Sequence, residues 1–256
     1  MDAREIEAAA AEFEAAHERG EYFPKAWEGR LGIDDPYRVL LALVARRRNA
    51  GSRRIGWKVG LTATAIQEQF GVHEPVFACL LAEGLIESGH AFRFDELIKP
   101  GFENELCIVL GGDLAADATP GDVAAAVAAV YPAFEIIETR GDLSGQLALA
   151  IADNAQQKAF VLGKPVGAEA LPELATVRVR VQINDNEVAT AHGEAVLGHP
   201  YNSVAWLAGK LAQFGETLRA GDYVMSGSFT RQFPLSRGDR FEAAFDGIGR
   251  VAASVV

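Results

Sequence analysis

Apolar residues at Ile6, Ala9, Ala10 and Phe13 recur at helical spacing, with Glu12, Glu14 and Glu18 on the opposite side. A loop with Gly20, Pro24, Gly29 and Gly32 follows. The pattern of Val39, Leu40, Leu43 and Val44 then predicts a second helix from about Pro36 to Arg48. Asp34 or Asp35 reads as its N-cap, with Pro36 at the first helical position. Arg46-Arg47-Arg48 in its last turn complements the helix dipole, so the run reads as a terminus rather than a binding patch.

From Ile55 the pattern changes to short apolar or alternating runs punctuated by glycine. Strands are predicted at Ile55–Val59, Phe102–Leu110, Ala133–Glu138, Val177–Ile183, Glu187–His192, Tyr223–Ser226, Arg240–Phe245 and Gly249–Val255. Asn184-Asp185-Asn186 and Asp246-Gly247 read as hairpin turns. Helices are predicted at Thr62–Phe70, Pro120–Val130 and Ser203–Phe214. Strands mixed irregularly with helices imply an α+β fold. A helical N-terminal region over 1–50 is expected to pack on a strand-rich body over 51–256.

The strand Phe102–Leu110 carries the first candidate chemistry. Side chains alternate along a strand, so Glu103 and Glu105 point one way while Phe102, Leu106, Ile108 and Leu110 point the other. Two like charges held side by side repel unless water or a cation separates them. The pair is therefore either a solvated edge strand or a site for a hard divalent ion, Mg²⁺ or Mn²⁺, which all-oxygen ligands suit. Glu135 lies inside the apolar run Pro132-Ala133-Phe134-Glu135-Ile136-Ile137-Glu138. Unless it faces outward it needs a cation, either a metal or Arg140. Lys58, in Gly56-Trp57-Lys58-Val59-Gly60, either snorkels to solvent or lies in a site, where desolvation lowers its pKa. In Ser226-Gly227-Ser228-Phe229-Thr230-Arg231, hydroxyls and free N–H groups suit a carboxylate, although Ser/Thr-rich turns are common.

Composition narrows the partners. The net charge of −11 argues against nucleic-acid or anionic-membrane surfaces, but not against an anionic substrate, because a bound metal inverts the local sign. Cys79 and Cys107, each in an apolar run, are expected as buried free thiols in a reducing compartment. No stretch reaches transmembrane length and no signal core opens the chain, so a cytoplasmic protein is expected. The phosphate-binding loops, the nucleophile elbow and the His-Glu-x-x-His zinc motif are absent. His17, His73, His90, His192 and His199 lack ligand spacing, so zinc is not expected.

Six segments in this order resemble the 2-keto-4-pentenoate hydratase family of the fumarylacetoacetate hydrolase superfamily. They are Gly56-Trp57-Lys58-Val59-Gly60-Leu61-Thr62, Phe102-Glu103-Asn104-Glu105-Leu106, Tyr131-Pro132-Ala133-Phe134-Glu135, Ile151-Ala152-Asp153-Asn154-Ala155, Val196-Leu197-Gly198-His199-Pro200 and Ser226-Gly227-Ser228-Phe229-Thr230-Arg231. The resemblance implies a mixed β-roll with a helical N-terminal part. It implies metal ligation by Glu103, Glu105 and Glu135, ahead of Glu138, with Lys58 as the active-site lysine. It also implies substrate contacts from Ser226 and Ser228, and pairing of Arg231 with a distal carboxylate. The implied protein is a homo-oligomer in aromatic-compound catabolism, adding water to a 2-hydroxy-dienoate to give a 4-hydroxy-2-oxo acid. Metal-dependent decarboxylation of a 2-oxo-3-enedioate is the nearest alternative. Acylpyruvate hydrolysis and a non-catalytic partner subunit stand behind it. One departure bears on the water step: family hydratases often carry an acid soon after a Glu-Pro or Gln-Pro, and here Val76 follows Glu74-Pro75.

Overall fold

The computed structural model describes residues 1–63, 67–68, 71–142 and 145–256. The helix expected over Thr62–Phe70 includes positions 64–66 and 69–70, which lie outside the described residues.

Helix α1 (Ala3–Glu18) starts at a capping box: the Asp2 carboxylate accepts from the Arg4 and Glu5 amides, and Glu5 accepts from the Asp2 amide. Helix α2 (Asp35–Asn49) has proline in its first turn as expected, but neither aspartate caps it with its side chain. Asp35 instead accepts from the N-terminal ammonium at 3.1 Å and from the Gly32 amide at 2.9 Å. The arginine run does more than face the dipole, since Arg46 joins α2 to α1 through Glu14 at 2.7 Å and Glu7 at 2.5 Å. Ala9, Ala10 and Phe13 pack with Val39 and Leu43, and with Leu149, Ala150 and Ala152 of a short helix, α4 (Leu147–Ala152).

The body is two sheets. The strands of the larger are β1 (Arg54–Gly60), β2 (Val76–Leu81), β3 (Leu85–Glu87), β5 (Pro100–Leu110), β6 (Val127–Glu138), β7 (Gln157–Leu162), β8 (Val166–Gly167), β11 (Tyr223–Ser228) and β12 (Phe233–Pro234). Their order is β2-β1-β11-β5-β6-β7-β3, with β12 also pairing β5 and β8 pairing β6. The smaller sheet runs β10 (Asn186–His192), β9 (Arg178–Ile183), β13 (Arg240–Phe245), β14 (Gly249–Val255) and β4 (Ala91–Phe92). The Asn184-Asp185 turn has both residues at positive φ, 51° and 66°, as a tight hairpin requires. The fold is α+β, as expected.

Two elements differ from the pattern. The helix expected over Pro120–Val130 stops as α3 (Pro120–Ala126), and Val127 onward is strand. Alanine-rich sequence favours helix, but Val127, Ala129 and Val130 pair with Leu110, Val109 and Ile108, and that pairing prevails. The helix expected from Ser203 begins earlier, as α5 (Pro200–Ala212), with His199 capping the Tyr201 amide at 2.9 Å.

The faces of β5 divide as its alternation demands. Phe102, Leu106, Ile108 and Leu110 enter the main core. The Phe102 ring stacks on Phe241 of the smaller sheet at 4.5 Å between centroids and meets Phe134 at 5.0 Å. Losing one such buried ring costs about 3–5 kcal/mol. On the other face Cys107 joins Ala133, Leu80, Phe160 and Met225 in a smaller apolar cluster. Glu103, Glu105 and Glu135 share that second face by strand alternation. Both cysteines are buried and free, and burial pushes the Cys79 thiol up to about 12. Among the described residues no helix is long and apolar enough to cross a membrane.

Candidate active site: three carboxylates and a lysine

Strand β5 is interior to its sheet, flanked by β11 and β6. That disposes of the solvated-edge reading of Glu103 and Glu105. Glu103 lies directly opposite Glu135 in the β5–β6 register, and Glu105 opposite Ala133. Oxygens of Glu103, Glu105 and Glu135 all lie within 4.8 Å of one another. Glu105 and Glu135 are fully buried, while Glu103 lines a cavity.

Lys58 reaches the group from β1, two strands from β5. Its Nζ stands 3.2 Å from Glu135 Oε1 and donates to Oε2 at 3.3 Å and to the Ala155 carbonyl at 3.4 Å. An ammonium has three N–H groups, so one is left for the cavity that Lys58 lines. Glu105 Oε2 accepts from the Gly227 amide at 2.9 Å. That contact depends on an irregularity in the β11–β5 pairing between Met225 and Ser228, where Gly227 has φ of 110°. A Cβ there would stand 2.5 Å from Thr62 Cγ2, so glycine is required on both counts.

Bringing the carboxylates together out of water raises their pKa values. Glu103 is pushed up to about 7, by burial first and by the Glu135 charge second, with Lys58 opposing. Glu105 rises well above the ordinary range, through burial and then Glu135 and Glu103. Glu135 rises by burial, against the pull of Lys58. Lys58 corrects an expectation: burial does push its pKa down, but Glu135, Glu103 and Glu105 outweigh it and the net shift is upward. Without a cation, protonated Glu103 stabilises the fold fully below its unfolded value of 4.5, and that contribution is lost as pH rises through about 7. Chelator-treated protein is therefore expected to melt higher at about pH 6 than at about pH 8. Saturating Mg²⁺ is expected to flatten the difference, which differential scanning calorimetry checks.

The donor set fits a divalent cation. Glu105 Oε1 is buried without a hydrogen-bond donor, and Glu135 Oε1 has only its ionic contact with Lys58 Nζ at 3.2 Å, an arrangement that is costly unless a further cation fills it. Three carboxylates against one divalent ion leave −1, and Lys58 restores neutrality.

Other expectations sort by position. Arg140 does not partner Glu135. It binds Glu138 at 3.2 Å and Asp153 at 2.5 Å, and Glu138 falls on the opposite strand face from Glu135. The cavity beside the carboxylates has a volume of about 280 Å³, small for a small-molecule site. Ser228 and Arg231 line it, with Thr62, Thr139, Gln156 and Thr230. Ser226, read as a substrate contact, does not belong to that lining, and its buried Oγ has no hydrogen-bond partner among the described residues. It is fully buried and accepts at its carbonyl from Ser203 Oγ at 2.6 Å. Val76 is buried and also lines the cavity. The Arg231 guanidinium stacks 4.3 Å above the Phe233 ring and donates to the Gln232 carbonyl at 3.4 Å.

The sequence offers the free N–H groups of Ser226–Arg231 to a carboxylate but does not show that the Gly227 amide serves Glu105, nor does it show the turn that carries Ala155. The one available signal for the first was a glycine between two hydroxyl residues. For the second it was Asn154, a residue tolerant of left-handed backbone.

Residues 48–256 match the fumarylacetoacetate (FAA) hydrolase C-terminal family, and the chain belongs to that family. Within it, the chain is 35% identical over 223 residues to 2-hydroxyhexa-2,4-dienoate hydratase of Comamonas testosteroni, covering 86% of this chain and 84% of that one. It is 38% identical over 188 residues to 2-hydroxypent-2,4-dienoate hydratase of Pseudomonas putida, covering 72% and 85%. Among solved structures it is similar to 4-oxalocrotonate decarboxylase from Pseudomonas putida G7, complexed with magnesium and adipate. That likeness has a TM-score of 0.92 and 30% identity, covering 100% of this chain and 99% of that one.

Proposed function

We propose that the chain is a metal-dependent hydratase adding water to a 2-hydroxy-dienoate, in effect a 2-oxo-alkenoate, to give a 4-hydroxy-2-oxo acid. The observation that carries this is the buried group of Glu103, Glu105 and Glu135 with Lys58 as counter-cation beside a small cavity. The likeness to two dienoate hydratases supports it.

Glu103, Glu105 and Glu135 would hold Mg²⁺ or Mn²⁺, which supplies Lewis-acid stabilisation of negative charge on a 2-oxo acid. Lys58 directs its remaining N–H at the substrate and holds a proton at Nζ for ketonisation of the dienol. Apolar walls from Leu61, Val76, Ile137 and Ile151 limit water to the polar positions. Thr62, Thr139 and Ser228 offer hydroxyls to orient the water that adds to C4 of the conjugated ketone, while C3 takes a proton. Arg231 at the cavity's edge pairs with a second carboxylate on the substrate. Arg231→Met is accordingly expected to raise KM for a dicarboxylic 2-oxo-enoate about 10–100-fold and to leave a monocarboxylic one within about twofold. Initial-rate kinetics on the two substrates check this.

The catalytic body is taken as 51–256 with the helices of 1–50 as its appendage. The protein is taken to act in the cytoplasm, as a homo-oligomer, on a small anionic 2-oxo acid.

Decarboxylation of a 2-oxo-3-enedioate is the second reading. It is favoured by Val76, which leaves Glu103 as the one carboxylate lining the cavity among the described residues. Losing CO₂ generates the same enolate and needs no activated water. The deciding experiment incubates the protein and Mg²⁺ with 2-hydroxypenta-2,4-dienoate and with a 2-oxo-3-enedioate. Dienol absorbance and CO₂ are followed separately. Dienol loss with formation of the hydroxy acid is expected; CO₂ release without hydration overturns the first reading.

A further inference from the structure

We infer that His17, on helix α1, is a positioning residue for Lys58, acting through Asp153 and the turn Asn154–Gln156. The inference rests on the reading of Lys58 as the active-site lysine. His17 lies outside the stretch 48–256 that matches the family.

His17 is held from both ring nitrogens. Arg47 Nη2 stands 3.1 Å from Nδ1, and a guanidinium can only donate, so Nδ1 is the acceptor. In the neutral ring the proton is then on Nε2, which donates to Asp153 Oδ1. Asp153 is fully buried. Its Oδ2 accepts from Arg140 Nε at 2.5 Å and its carbonyl from Arg140 Nη2 at 2.8 Å. The carboxylate is thus fixed from the N-terminal helices on one side and from the residues after β6 on the other.

The turn after Asp153 accounts for so firm an anchor. Asn154, Ala155 and Gln156 have φ of 55°, 46° and 62°, three consecutive non-glycine residues in left-handed conformation. Such backbone is costly and persists only where its surroundings over-determine it. Here the Asn154 amide brackets the Cys79 backbone, accepting from its N–H at 2.9 Å and donating to its carbonyl at 3.0 Å. Gln156 Oε1 accepts from the Arg140 amide at 2.7 Å. The turn directs the Ala155 carbonyl at Lys58 Nζ, 3.4 Å away. Strand β2, which carries Cys79, pairs with β1, which carries Lys58, so the turn braces the strand beside the lysine as well as the ammonium itself. None of His17, Arg47 or Asp153 lines the cavity.

The test compares His17→Ala with His17→Gln, whose amide nitrogen takes the place of Nε2, in the full chain with Mg²⁺. With 2-hydroxypenta-2,4-dienoate as substrate, His17→Ala is expected to lower kcat about tenfold or more. KM and Mg²⁺ affinity are expected to stay within about twofold, and His17→Gln to recover most of kcat. Hydrogen exchange resolved by mass spectrometry provides a readout that needs no turnover. Segments 76–81 and 153–157 are expected to exchange about tenfold faster in His17→Ala but not in His17→Gln, with β5 unchanged. Should His17→Ala fail to fold, His17→Met against His17→Gln carries the same comparison. Unchanged exchange in both segments overturns the inference. So does an equal fall in kcat and Mg²⁺ affinity that glutamine does not rescue. A wild-type chain that fails to hydrate the dienol, with the exchange difference present, refutes the proposed function and leaves the positioning role standing.

Discussion

Glu103→Gln is expected to lower kcat by about 10²–10³-fold and to weaken Mg²⁺ and Mn²⁺ binding together. The amide keeps the shape of the side chain but removes one of the three charges that make the group attractive to a cation. In chelator-treated protein the same substitution is expected to act in the opposite direction on stability. Burial first, and then repulsion by the Glu135 charge that faces it across the β5–β6 register, push the Glu103 pKa up to about 7. Neutral glutamine removes that repulsion, so the metal-free variant is expected to melt about 2–4 °C higher than wild type at about pH 8. Loss of function with gain of metal-free stability is the signature of a site whose strain exists for a ligand. A stabilising surface-type ion pair at Glu103 would instead give loss of both.

Lys58→Met carries the second large effect and should mirror the first. Methionine preserves much of the stem, while the charge and its donors go. Turnover is expected to fall about 10²–10⁴-fold because proton transfer at Nζ is lost. The metal-free fold is expected to lose about 3–5 kcal/mol at about pH 8, since Glu135 is left buried without its cation. Adding Glu135→Gln to Lys58→Met is expected to recover most of that stability and none of the turnover. Urea unfolding of the four proteins in the cycle measures the coupling directly.

These contrasts depend on relations that the sequence shows only in part. The same-face placement of Glu103 and Glu105 follows from strand alternation alone, and the structure keeps it. The opposition of Glu103 and Glu135 does not follow from spacing, because it is set by the β5–β6 register across an intervening loop and helix. Lys58 comes from a strand placed beside β11 by a parallel pairing of residues far apart in the chain. Only the resemblance to a known family suggested that these residues meet. Local composition misled over 127–130, where alanine spacing imitates a helix and cross-strand pairing decides otherwise. Strand β2 escaped notice because Val76–Leu81 is buried at every position, so it carries no period of two. The pKa of Lys58 also required the fold: burial is legible from an apolar run, but three facing carboxylates are not.

Everything proposed for this chain requires Glu103, Glu105 and Glu135 to form one divalent-cation site. The decisive measurement is isothermal titration of the chelator-treated chain with Mg²⁺, then with oxalate as a two-oxygen mimic of a 2-oxo acid's chelating edge. One Mg²⁺ per chain is expected, with oxalate binding only after Mg²⁺ and both lost in Glu105→Gln. Oxalate binding that is indifferent to Mg²⁺, or Mg²⁺ binding undiminished in Glu105→Gln, would refute the site.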